Sequence, residues 1–205
     1  MSPKRHAAVA ERCHDRVVTD DRGCDDPTTE TASLAPPKAI SADALVIFGA
    51  TGDLARKKLF PALYRLVERD ALDIPVIGVA RRSWQDAELR AYAREAVGSR
   101  IDDPDPVVLD RLAGLLTYVS GDYGEETTFE QLRDRLAGAE HPSFYLAIPP
   151  SMFDTVTGGL IGVGLHERGR VVVEKPFGRD LGTAQRLNRC LHRAFDEHEI
   201  FRIDH

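Results

Sequence analysis

Cysteine is scarce. Cys13, Cys24 and Cys190 are the only three in 205 residues, too few and too scattered for a disulfide framework, and their spacing matches no zinc pattern. Reduced thiols and no metal site are the expectation. Long apolar runs are lacking too. None approaches the ~20 residues a membrane helix needs. Residues 1–40 begin basic but hold no apolar core, and Asp15, Asp20, Asp21, Asp25 and Asp26 are out of place in a transit peptide. A cytoplasmic protein without a membrane partner is expected. An excess of positive charge is also missing: 27 Lys and Arg stand against 33 Asp and Glu, a formal net charge of −6. The overall field therefore gives no attraction to nucleic acid, and any phosphate must be held by a local site.

What is present divides into two parts. Residues 1–40 are rich in Asp, Thr, Arg and Pro and poor in large apolar side chains. That composition buries too little area to offset its ordering entropy, so a disordered leader is expected. From Ala44 onward, short apolar runs alternate with helical periodicity. Residues 44–48 (ALVIF) suit a strand buried on both faces, and 75–79 (PVIGV), 116–120, 144–148, 171–173 and 200–204 are further strand candidates. Helices are expected over 53–69, from Ser83 to about Val97, over 105–115, 127–137 and 151–165, and over 180–197. Ser83, Asp105 and Asp180 are the expected caps. Pro61 should kink its helix or mark a late start. This alternation predicts an α/β fold: a doubly wound parallel sheet with right-handed crossovers.

The first βα turn reads Gly49-Ala50-Thr51-Gly52-Asp53-Leu54-Ala55, a G-x-x-G-x-x-A variant of the dinucleotide fingerprint. Gly49 permits the tight turn, Gly52 lets backbone approach a pyrophosphate, and Ala55 allows close helix packing. Free N–H groups at the helix start then face the anion. Alone, the pattern also suits glycines that simply end a strand. At the end of the second strand, Ala80-Arg81-Arg82-Ser83 has no acid to hold ribose hydroxyls. A guanidinium holds a 2′-phosphate bidentately, which favours NADP, although two solvated arginines fit the same letters. Lys175 follows the fifth strand, where ligands collect in open α/β sheets; a surface lysine is the plainer alternative. The terminal Asp204-His205 pair means little by itself. His6, His14, His141, His166, His192 and His198 suit solvated or packed roles.

Together GATGDLARKKLFPALYRL, GVARRSW, FYLAIPPSMF, VVVEKPFGRDL and FRIDH, in this order from about Leu45 to His205, resemble the glucose-6-phosphate dehydrogenases. The resemblance implies a Rossmann-like NADP-binding domain over 41–205 and a hydride transfer from C1 of glucose 6-phosphate to NADP⁺. It implies that Gly49, Ala50, Thr51, Gly52, Asp53 and Leu54 hold the pyrophosphate and Arg81 the 2′-phosphate. Tyr145 and Pro149 would lie beside the nicotinamide, and Lys175 would contact both substrate and cofactor. Pro176 would be cis. Asp204 would orient the catalytic His, and His205 would bind the sugar phosphate.

In that family a YLGKE-like stretch follows RIDH. The base is a second His in a large α+β domain that also carries most of the dimer interface. A chain ending at His205 is therefore expected to hold NADP⁺, to turn over no sugar phosphate alone, and to expose apolar surface along its last strand. A homo-oligomer is implied for full-length members. Two alternatives stand beside this reading. One is a Gfo/Idh/MocA-type sugar oxidoreductase, which shares Glu-Lys-Pro but not the G-x-x-G-D-L-A turn or the RIDH ending. The other is a non-catalytic short product that binds NADP or a partner.

Overall fold

The computed structural model describes residues 41–178 and 180–203; the expected leader, Asp204 and His205 lie outside them. Six strands form one parallel sheet: β1 (Ala44–Phe48), β2 (Val76–Ala80), β3 (Leu116–Ser120), β4 (Pro142–Leu146), β5 (Arg170–Glu174) and β6 (Ile200–Ile203). Their order across the sheet is β3-β2-β1-β4-β5-β6, with every neighbouring pair parallel. The strand order reverses between β1 and β4. That switch point leaves a crevice at the carboxyl edge of the sheet, which is where such folds bind ligands.

The two-residue period of a strand explains the uninterrupted apolar runs. Val46 and Phe48 of β1 enter one core, and Ile47 between them enters the other. On the first face Phe129, Val156, Leu160 and Leu191 come from α4 (Glu126–Arg135), α5 (Phe153–Gly162) and α6 (Leu181–His192). On the second, Phe60, Leu63, Leu89, Val97 and Leu112 come from α1 (Phe60–Glu68), α2 (Asp86–Gly98) and α3 (Pro106–Leu115). Val46, Ile47 and Phe48 are at most 1% exposed. Burying each such side chain contributes roughly 1.5–3 kcal/mol, which makes β1 the centre of the fold.

Several boundaries differ from the sequence expectation, each for a local reason. Pro61 has no N–H for the carbonyl four residues back, and its ring crowds that carbonyl. The chain answers with a π-helical turn, Ala55–Leu59, running directly into α1, where Pro61 occupies the second position. The cap of α2 is Gln85, not Ser83. Gln85 and Glu88 form a reciprocal capping box, with the Gln85 N–H donating to Glu88 Oε2 at 2.9 Å. Strand β4 begins at Pro142, a position where a missing N–H is tolerated, and ends at Leu146 before Pro149 and Pro150 turn the chain. Helix α6 stops at His192, because Asp196 caps a separate short turn at Glu197–Glu199. Asp105 and Asp180 do cap α3 and α6, accepting from Val107 N and Thr183 N, each at 2.7 Å. Cys190 is a buried free thiol. Among the described residues no helix is long and apolar enough to cross a membrane, and no metal-ligating cluster is present.

Candidate functional site

The switch point is a cleft of about 540 Å³ lined by Gly49, Thr51 and Gly52 from the turn after β1, Ala80, Arg81 and Arg82 from the end of β2, and Ala147 to Pro149 after β4. Tyr123, Ser151 and Met152 complete it. Three separate sequence signals thus converge on one crevice: the glycine turn, the arginine pair and the start of the Pro-Pro segment.

Gly49 governs the turn. Its φ is +84°, and a Cβ there would lie 2.3 Å from the Ala147 carbonyl oxygen. Only glycine combines that backbone angle with so close an approach to the chain leaving β4. The Gly49 N–H donates both to the Val79 carbonyl, at 2.9 Å, and to the Tyr123 hydroxyl, at 2.8 Å. The Gly52 N–H closes the turn onto the Gly49 carbonyl at 2.9 Å. Ala50 is wholly buried beneath it. A helix begins directly after this turn, and the start of a helix favours an anion by free N–H groups and by the helix dipole.

The end of β2 is equally fixed. The Tyr118 hydroxyl spans the Ala80 and Arg82 carbonyls at 3.0 and 2.9 Å, and Ser120 Oγ donates to the Arg82 carbonyl at 2.9 Å. Arg82 lies over the Trp84 ring, 5.0 Å from its centre, and Trp84 packs edge-on to Tyr92. Arg81 is largely exposed, with Asp122 Oδ2 3.9 Å away across the β3 loop. That contact is long and solvated, so it holds Arg81 only weakly. Burial pushes the hydroxyls of Tyr118 and Tyr123 up to about 12, which keeps both as neutral phenols.

Other expected residues fall elsewhere. Tyr145 does not line the cleft. Its hydroxyl donates to the Glu174 carboxylate, and burial together with that carboxylate raises the phenol above its ordinary range. It therefore joins the ends of β4 and β5. Asp53 pairs with Lys57 at 2.7 Å, and the Lys57 ammonium draws its carboxyl below the usual range. Arg56 reaches Glu95 of α2 at 2.6 Å. Lys175 is exposed at the carboxyl end of β5, and its bond to Pro176 is cis, as the resemblance implies. Gly178, at φ +136°, lets that loop touch the start of α6, where a Cβ would meet Ala184 N at 2.5 Å. Asp204 and His205 are outside the described residues.

Residues 46–205 match the family model described as the NAD binding domain of glucose-6-phosphate dehydrogenase. The chain belongs to this family. It is 45% identical over 165 residues to a glucose-6-phosphate 1-dehydrogenase 1 of Mycobacterium tuberculosis, covering 80% of this chain and 35% of the relative. A Bacillus subtilis glucose-6-phosphate 1-dehydrogenase is 36% identical over 181 residues, with 82% and 35% covered. Among solved structures, the enzyme of Mycobacterium avium superposes with a TM-score of 0.76 at 45% identity, over 80% of this chain and 36% of that one. A glucose-6-phosphate dehydrogenase in complex with its substrate glucose 6-phosphate gives 0.74 at 33% identity, over 82% and 38%. This chain spans about a third of the length of the curated relatives it matches, at 35% of each.

Sequence reasoning did not single out Tyr123. It lies in the loop after β3, at the same carboxyl edge of the sheet as the other cleft residues. Applying the edge rule to every strand, not only to those followed by glycine or basic residues, would have pointed to it. Arg82 and Trp84 lay inside the GVARRSW segment, but nothing in the letters told which arginine stacks on the indole.

Proposed function

We propose that this chain holds NADP⁺ across the β1–β4 switch point, as the coenzyme-binding part of a glucose-6-phosphate dehydrogenase. The observation that carries the proposal is that Arg81 and Arg82 line the same cleft as the Gly49–Gly52 backbone. A nicotinamide dinucleotide suits the residues present. A Cβ on Gly52 would meet only the Gly49 carbonyl oxygen, at 3.1 Å, so that backbone is open on its cleft side. The first-turn N–H groups then take the pyrophosphate, and Arg81 takes the 2′-phosphate as a charge-assisted pair. Ala147, Ile148 and Pro149 offer an apolar wall for the nicotinamide half, with Tyr145 bracing that wall from below.

When bound, NADP⁺ supplies the acceptor for the hydride leaving C1 of glucose 6-phosphate. The chain's own task is to orient that acceptor and exclude water from its face. Lys175, at the end of β5, is assigned to both sugar and coenzyme, Asp204 to orienting the catalytic His, and His205 to the sugar phosphate. The 2′-phosphate reading is tested by Arg81→Ala. Losing a guanidinium hydrogen-bonded to a phosphate costs about 1.5–3 kcal/mol, roughly ten- to a hundredfold in affinity. NADP⁺ binding should fall by that factor by calorimetry, with NAD⁺ affinity little changed. Equal losses for both coenzymes would remove the assignment.

A further inference from the structure

The glycine turn is held by a side chain from outside the β1–α1 unit. Tyr123 is 7% exposed, and its ring lies edge-on to Phe48 with centres 5.6 Å apart. Its hydroxyl accepts the Gly49 N–H at 2.8 Å and donates to the Val79 carbonyl at 3.0 Å. Val79 O also receives the Gly49 N–H at 2.9 Å and the Ala50 N–H at 3.4 Å. The hydroxyl therefore closes a triangle between the end of β1 and the end of β2, from a loop that follows β3. A hydroxyl donates and accepts at once, a pairing that no apolar side chain of this shape supplies. On its opposite side the turn abuts the Ala147 carbonyl after β4. Four strand ends thus fix one peptide.

We propose that Tyr123 is a positioning residue for the coenzyme, acting through the Gly49 amide to set the turn's N–H groups where the pyrophosphate must meet them. The inference rests on the coenzyme reading of the cleft. Donors fixed before binding cost no ordering when the anion arrives. A shifted turn lengthens several N–H···O contacts together, and each weakens steeply with distance and angle.

Tyr123→Phe keeps the ring and its contact with Phe48, so the variant is expected to fold, with thermal melting as the check. Trp84, the single tryptophan of the chain, stacks under Arg82 at the rim of the cleft and reports binding by its fluorescence. Two ligands separate the roles. NADP⁺ spans both the arginines and the turn, whereas 2′-AMP carries the 2′-phosphate without a pyrophosphate. Tyr123→Phe should weaken NADP⁺ roughly tenfold, about one charge-assisted hydrogen bond, and leave 2′-AMP within about twofold. Unchanged NADP⁺ affinity overturns the inference. So do equal losses for both ligands, which would make Tyr123 a merely structural residue. A wild-type chain that binds neither ligand overturns the coenzyme reading itself, a result distinct from either of these.

Discussion

Replacing Gly49 by Ala tests the tightest backbone approach in the cleft. The positive φ alone costs a side chain about 1–3 kcal/mol. The added Cβ would also press on the Ala147 carbonyl oxygen, 2.3 Å away, so the chain leaving β4 must shift. Gly49→Ala should lower unfolding free energy by at least about 2 kcal/mol in urea titration and weaken coenzyme binding more than that loss alone accounts for. At the alkaline end, Tyr118 and Tyr123 are buried phenols raised to about 12, above the roughly 10 of an unfolded tyrosine. A raised pKa means that the folded state holds the proton more tightly. The stabilisation is complete below about pH 10 and is lost as pH rises from there towards 12. Urea midpoints measured across pH 8–12 should be flat with respect to these two groups below 10 and decline above it. Tyrosinate absorbance should show neither residue ionised at pH 10 while the fold persists. The functional residues were unevenly legible. That Gly49, Gly52 and Arg81 belong to one crevice was legible from spacing and residue type, because the chemistry of a phosphate site restricts the letters, whereas Pro149 entered only through the family resemblance. Tyr123 was not legible, since its role depends on a hydrogen bond across 74 residues of chain. The hydrogen bond from Tyr145 to Glu174, 29 residues on, was hidden in the sequence for the same reason.

Among the elements, β6 is the most weakly held strand. It has four residues, pairs only with β5, and leaves Phe201 45% exposed. Leu181 of α6 is 74% exposed nearby in sequence to the Pro176 loop. Few buried contacts and one unpaired edge mean local opening at low free energy. Amide hydrogen exchange should therefore be faster in Ile200–Ile203 than in Ala44–Phe48 by several orders of magnitude. Equal protection of the two strands would contradict this view of the sheet. Strands β1 and β2 were legible because a strand buried on both faces is apolar throughout, whereas the others showed as short apolar clusters between helical segments. Helix ends were less so. Ser83 has better capping chemistry than Gln85, yet the reciprocal Gln85–Glu88 pair wins because the Arg82 backbone is already tied down by Tyr118 and Ser120. The π-turn before Pro61 was foreseen only as a disturbance, since the letters give the missing N–H but not the way the chain relieves it.

For the molecule as a whole, the net charge of −6 opposes anion binding in general, so any affinity for a phosphorylated coenzyme must arise in the cleft. There, the Gly49 turn supplies backbone N–H groups and the end of β2 supplies Arg81 and Arg82. The doubly wound topology brings these two segments together, although some thirty residues of chain lie between them. The same reasoning makes the coenzyme's 2′-phosphate the decisive group, because it alone separates two ligands that are otherwise identical. The direct test is an equilibrium titration of the purified chain with NADP⁺ and NAD⁺ at matched ionic strength, read by Trp84 fluorescence and by calorimetry. Saturable one-to-one binding of NADP⁺, at least about tenfold tighter than NAD⁺ as expected for a guanidinium–phosphate contact, is the predicted result. NAD⁺ binding as tightly as NADP⁺, or neither binding, would contradict the account.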